Sequence, residues 1–131
     1  MATLYTLKSV KDQITELEKL TGLSFQRSYL IYKVPPGQLR GQHRHQNNHS
    51  ILFCLTGTVT VFVQSAGCDA FYHLNNPNQA LHLIPSDWRL LYDFSPDCIV
   101  LALASDLYSR LDYISEPYRP VLLPDKESVL N

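Results

Sequence analysis

The chain has 131 residues, 45% of them hydrophobic and 18% charged, with a formal net charge of -1. That length allows one domain with a real core, and the balance is globular rather than disordered. The near-zero charge and the lack of a basic run give nucleic acid no field to bind, the N-terminus has no apolar signal-peptide region, and no window approaches the roughly 18 apolar residues of a membrane span.

The segment ATLYTLK (2–8) is short and β-prone. In SVKDQITELEKLTG (9–22), Val10, Ile14, Leu17 and Leu20 fall near helical spacing and Gly22 is a stop signal, which predicts a short helix. From Tyr29 onward the chain reads as strand after strand. YLIYKV (29–34) ends at Pro35-Pro36-Gly37, and SILFCL (50–55) turns through Thr56-Gly57 into TVTVFVQ (58–64). There Val59, Val61 and Val63 share one face, and Thr58, Thr60, Phe62 and Gln64 the other. AFYHL (70–74), ALHLI (80–84), WRLLYDF (88–94) and CIVLALAS (98–105) follow, separated by turn-forming residues. Short strands at nearly regular spacing predict a sandwich or barrel. DLYSRLDYI (106–114) has room for one or two helical turns, and the proline-broken tail 115–131 reads as extended or frayed. Cys54 and Cys98 lie in hydrophobic runs and read as buried thiols. The odd cysteine count and the absence of an export signal favour a reducing cytoplasm.

Three of the five histidines, His43, His45 and His49, fall within seven residues of RGQHRHQNNHS (40–50). In an extended segment His43 and His45 point the same way. His49 would open the next strand, where antiparallel pairing could bring it beside them. One reading is a set of surface or hydrogen-bonded histidines in a polar loop. A second is metal binding: H-x-H with a further ligand on the next strand resembles the first metal motif of the cupin superfamily, and three imidazoles can hold zinc with one open site. Against it, Arg89 stands where the second cupin motif has a histidine, and a guanidinium cannot ligate a metal. The third reading is proton transfer at a carbon next to a carbonyl, which neutral imidazole supports without a cofactor.

RGQHRH (40–45), ILFCLTGTV (51–59), LNNP (74–77), PSDW (85–88), DFSPDCIVLALASDLY (93–108) and DYI (112–114) stand in an order and spacing that resemble the sugar-nucleotide 3,4-ketoisomerases, the WxcM-like family. The resemblance spans residues 22 to 114. It implies an all-β, cupin-type jelly-roll barrel with a short N-terminal helix, in one domain over 1–131. The strand and helix at 2–21 would precede the core, and the tail 115–131 would follow it. It further implies a homodimer that exchanges N-terminal strands and buries Leu4 and Leu7 across the interface. The implied reaction moves a carbonyl from C4 to C3 of dTDP-4-keto-6-deoxyglucose, without metal or other cofactor, on the way to 3-amino-3,6-dideoxysugars.

The family's H-x-H pair falls on His43 and His45, its Arg-Gly on Arg40 and Gly41, and its preceding aromatic on Tyr29. The expected assignment makes His45 the base and His43 its partner in proton delivery or orientation, with the reverse nearly as well supported. Arg40 would neutralise oxyanion charge or hold the pyrophosphate, while Tyr29 and Trp88 would offer aromatic surface. Gln46, Ser50, His82 and Arg89 depart from the family's residues, and Arg89 and His82 are expected to reshape the pocket. Those departures keep a second class of function open, a cupin that binds a sugar nucleotide without turnover. The metal-dependent cupin using His43, His45 and His49 is the third.

Overall fold

The computed structural model describes residues 1–7 and 13–123. Its strands form two five-stranded antiparallel sheets. β1 (Thr3–Thr6), β7 (Gln79–Leu83), β4 (Ser50–Thr56), β9 (Ile99–Ala104) and β2 (Arg27–Tyr32) make the first, in that order. β10 (Tyr113–Ile114), β3 (Arg40–His45), β8 (Trp88–Tyr92), β5 (Val59–Gln64) and β6 (Asp69–Leu74) make the second. Consecutive strands repeatedly switch sheets, which is the jelly-roll arrangement that the family resemblance implies.

The alternation in β5 decides where the core lies. Val59, Val61 and Val63 are fully buried between the sheets with Leu52, Cys54, Leu81, Leu83, Leu91, Cys98, Val100 and Ala102. On the opposite face Phe62 packs with Trp88, Leu90 and Tyr92 beneath Val121 and Leu123. Residues 115–123 are therefore not a frayed tail. They cover the outside of the second sheet, and the fully buried Gln64 fastens them: its Oε1 accepts N–H bonds from Tyr118 at 2.7 Å and Arg119 at 3.1 Å. Residues 124–131 of the tail lie outside the described residues.

The predicted helix appears as α1 (Gln13–Thr21) and ends at Gly22, whose N–H donates to the Glu18 carbonyl. Val10 lies outside the described residues. Leu17 alone of the predicted apolar row is buried; Ile14 and Leu20 remain about half exposed. Leu17 meets Leu7, Ile51, Phe53, Ala80 and Leu103 on the outer face of the first sheet. β1 lies at the edge of that sheet and pairs with β7 of the same chain in the register Thr3↔His82 to Thr6↔Gln79. Leu7 is buried, whereas Leu4 is 39% exposed. Among the described residues no helix is long and apolar enough to cross a membrane.

Candidate active site

A cavity of about 250 Å³ opens between the sheets, lined by β2, β3, β4, β8 and β10. β2 contributes Arg27, Tyr29 and Ile31; β3 contributes Arg40, Gly41 and His43; Leu52, Arg89, Leu91 and Tyr113 complete it. Four residues named from the sequence therefore meet here directly: Tyr29, Arg40, His43 and Arg89.

A bulge in β3 sets how the histidines enter. Gly41 pairs with Leu90 and His43 with Arg89, so Gln42 is the extra residue, at φ 62°. Gly41 sits at φ 86°, and a Cβ there would lie 3.0 Å from the Arg89 carbonyl oxygen. Glycine thus permits both the backbone conformation and the close approach of β3 to β8.

His43 Nδ1–H donates to the Gly41 carbonyl at 3.0 Å. Because a carbonyl only accepts, this bond fixes the tautomer and leaves Nε2 with a free lone pair. His45 is buried behind it, with ring centroids 4.8 Å apart at 89°. Its Nδ1–H donates to Asp112 Oδ2 at 2.8 Å. Tyr113 packs against both rings, at 4.7 Å from His43 and 4.6 Å from His45.

Both imidazoles are pulled down to about 4, first by burial and next by the Arg89 guanidinium. At neutral pH they are uncharged bases. For His45 the Asp112 bond works the other way, but burial and Arg89 outweigh it. Burial alone would raise the Asp112 carboxyl. N–H bonds from Asn47 and Gln46, together with His45, hold it below its ordinary value.

Arg89 is buried, and burial pulls its pKa down to about 10, so it remains a cation at neutral pH. Its Nε and Nη2 donate to the Asp87 carbonyl at 3.1 and 2.9 Å, and Nη1 donates to Ser50 Oγ at 3.2 Å. Arg40 Nη1 is bonded to the Leu39 carbonyl and to Gln38 Oε1. Burial raises the Tyr29 phenol, and the Arg27 guanidinium lies 5.2 Å from its ring centroid.

Two expected pocket residues lie elsewhere. Trp88 neighbours Arg89 on β8, so its side chain takes the opposite face; it is buried with Phe62, and its Nε1 donates to the Ser115 carbonyl at 2.9 Å. His82 alternates with the inward Leu81 and Leu83 and so faces outward, where its Nε2 and His49 Nδ1 share a hydrogen bond at 3.0 Å. His49 stands next to the inward-facing Ser50 and so turns outward to His82, and it does not join His43 and His45. The three-imidazole centre is therefore not assembled, and among the described residues no group of three or more His, Cys, Asp or Glu is placed to hold a metal.

The chain matches the family model described as FdtA, WxcM-like, C-terminal, over residues 1–120. It belongs to that family. A TDP-4-oxo-6-deoxy-α-D-glucose-3,4-oxoisomerase of Aneurinibacillus thermoaerophilus is 33% identical over 101 residues, which are 77% of this chain and 73% of that protein. The crystal structure of QdtA, a sugar 3,4-ketoisomerase from Thermoanaerobacterium thermosaccharolyticum in complex with TDP, is 29% identical with a TM-score of 0.78, covering 88% of each chain. A His-to-Asn variant of that enzyme in complex with TDP-4-keto-6-deoxyglucose is 28% identical with a TM-score of 0.78, covering 88% of this chain and 87% of that one.

Within this FdtA, WxcM-like chain, sequence reasoning missed Arg27, Asp112 and Tyr113 at the site. Arg27 carried a usable signal, because it stands two residues before Tyr29 and shares its face of the strand. Asp112 and Tyr113 carried none beyond the DYI segment. They reach the histidines through the two-residue strand β10, paired as Tyr113↔His45 and Ile114↔Arg44.

Proposed function

We propose that this protein is a cofactor-independent 3,4-ketoisomerase of a dTDP-linked 4-keto-6-deoxysugar, acting in deoxyaminosugar biosynthesis, with His43 as the base. One observation carries the assignment: His43 lines the cavity while its Nδ1–H is committed to Gly41, so a bare Nε2 remains for the substrate. This reverses the order of the two histidines expected from the sequence. The C3 hydrogen is acidified by the C4 ketone; His43 removes it to give an enediolate, the O3 proton passes to O4, and a proton returns to the C4 carbon, leaving the ketone at C3. His45, buried and held by Asp112, orients the His43 ring. Arg89 stabilises the developing oxyanion, Arg40 takes the pyrophosphate, and Tyr29 supplies a face for sugar or base. The related isomerases, including one bound to TDP and one to TDP-4-keto-6-deoxyglucose, support this substrate class.

The same reading makes the protein a homodimer in which β1 crosses to the partner's β7. β1 is a four-residue edge strand, and the same ladder can be supplied by either copy. A cytoplasmic setting accords with the free thiols of Cys54 and Cys98, whose sulfurs lie 3.6 Å apart.

The deciding experiment incubates the protein with TDP-4-keto-6-deoxyglucose in deuterium oxide and follows the sugar by NMR. The expected result is a 3-keto product with deuterium at C4, and kcat lower by about a hundredfold or more in His43→Asn. TDP-sugar binding without product or exchange, equal in wild type and a His43→Asn/His45→Asn double variant, would establish the non-catalytic binding module instead.

A further inference from the structure

Arg89 is the central cation of the cavity, and its position depends on a polar chain that never reaches the cavity. Ser50 is buried at the start of β4, on the inward face it shares with Leu52 and Cys54. Its Oγ accepts two N–H bonds, from Arg89 Nη1 at 3.2 Å and from Asn48 Nδ2 at 3.2 Å. Asn48 is itself buried, and its Oδ1 accepts the Asp106 backbone N–H at 3.0 Å. The chain therefore runs from the β9 end, through Asn48 and Ser50, to the guanidinium.

A guanidinium has five N–H donors in a rigid fork. The Asp87 carbonyl takes those of Nε and one of Nη2, both from the same side, and Ser50 takes one of Nη1. One N–H on each terminal nitrogen remains for a ligand. With the Asp87 contacts alone, the fork is anchored at a single oxygen atom and can pivot about it. Ser50 supplies the second anchor point.

We propose that Ser50, braced by Asn48, is a positioning residue that fixes the Arg89 guanidinium in the cavity. The proposal rests on the reading of His43 as the base, because the position of Arg89 matters through what it does to that imidazole. The groups facing His43 are Arg89 from β8, His45 and Arg40 on its own strand, Asp112 and Tyr113 from the segment at β10, and Tyr29 and Arg27 across the cavity. Arg89 is the largest charged influence among them on His43, after burial itself, and it adds to burial in disfavouring the protonated ring.

The test is the titration of the His43 ring in the free protein, followed by NMR of labelled histidine. In wild type the expected midpoint is about 4, lowered first by burial and next by Arg89. Ser50→Ala should raise it by about half a pH unit or more as the guanidinium pivots away. Ser50→Thr should restore it and Ser50→Val should not; those two side chains have the same shape and differ in the hydroxyl, so the comparison survives if the Ala variant folds poorly. In an Arg89→Ala background, Ser50→Ala should change nothing further, because Ser50 acts through Arg89. A wild-type midpoint in both Ser50→Ala and Ser50→Val overturns the proposal, as does a Ser50→Ala shift that persists in the Arg89→Ala background. The titration needs no turnover. Should wild type prove inactive while the Ser50 series behaves as described, the isomerase reading fails and the positioning role stands.

Discussion

His45 and Asp112 are 67 residues apart in sequence and 2.8 Å apart in the fold. The bond fixes which nitrogen of His45 carries the proton and holds the ring edge-on against His43. Asp112 is itself fixed by two backbone N–H donors, from Asn47 at 2.7 Å and Gln46 at 3.1 Å. Asp112→Asn preserves the shape but presents an amide where a carboxylate accepted three bonds. We predict a fall in kcat of at least about tenfold, or about 1.4 kcal/mol of transition-state stabilisation, with KM little changed. Steady-state kinetics on the purified variant checks this, and a change confined to KM would assign Asp112 to binding instead.

The depressed histidines make stability depend on pH. In the folded chain His43 and His45 take up protons at about 4, against about 6.5 for an unfolded chain. Between those values the unfolded state binds more protons, so stability rises with pH through the window and falls as pH drops through it. Urea midpoints should be lower at about pH 5 than at about pH 7, and the difference should shrink in the His43→Asn/His45→Asn variant. Asp112, whose carboxyl is held low, contributes a further loss at still lower pH. An unchanged pH dependence in the double variant would show that other groups set it.

Deleting residues 1–8 removes the edge strand β1 and the buried Leu7. It exposes the free edge of β7 and part of the apolar face over Ile51, Phe53 and Ala80. Light scattering should find monomer or aggregate in place of a dimer. A truncated protein that stays dimeric with undiminished stability would show that strand exchange does not hold the subunits together.

Most strands were legible because the signal is local: alternation in β5 and turn residues between apolar runs mark them in the sequence itself, whereas the polar β3 and the two-residue β10, in a segment that read as helical turns, carry no such mark. The placement of side chains around the cavity was legible only where alternation was applied strictly. Trp88 and Arg89 are neighbours on one strand and cannot face the same way, and the outward position of His82 follows from its setting between Leu81 and Leu83. The outward face of His49 follows in the same way from the inward Ser50, Leu52 and Cys54. Asp112 was hidden. A carboxylate in a loop looks like any other until a two-residue strand brings it to His45. The covering role of residues 115–123 was masked by prolines, which signal irregular backbone and say nothing of whether that backbone is packed.

Those covering residues tie catalysis to a piece of chain with no regular structure. Three residues past Asp112, the Ser115 carbonyl is held by the Trp88 indole, and beyond it Tyr118 and Arg119 are moored to Gln64. β10 has just two residues of ladder of its own, so the mooring adds to the Asn47 and Gln46 N–H bonds in holding Asp112 beside His45. A protease cut between Ser115 and Tyr118 would spare the two sheets and slacken the line that holds the carboxylate. Activity should then fall toward the level of Asp112→Asn while the barrel still melts as a folded protein.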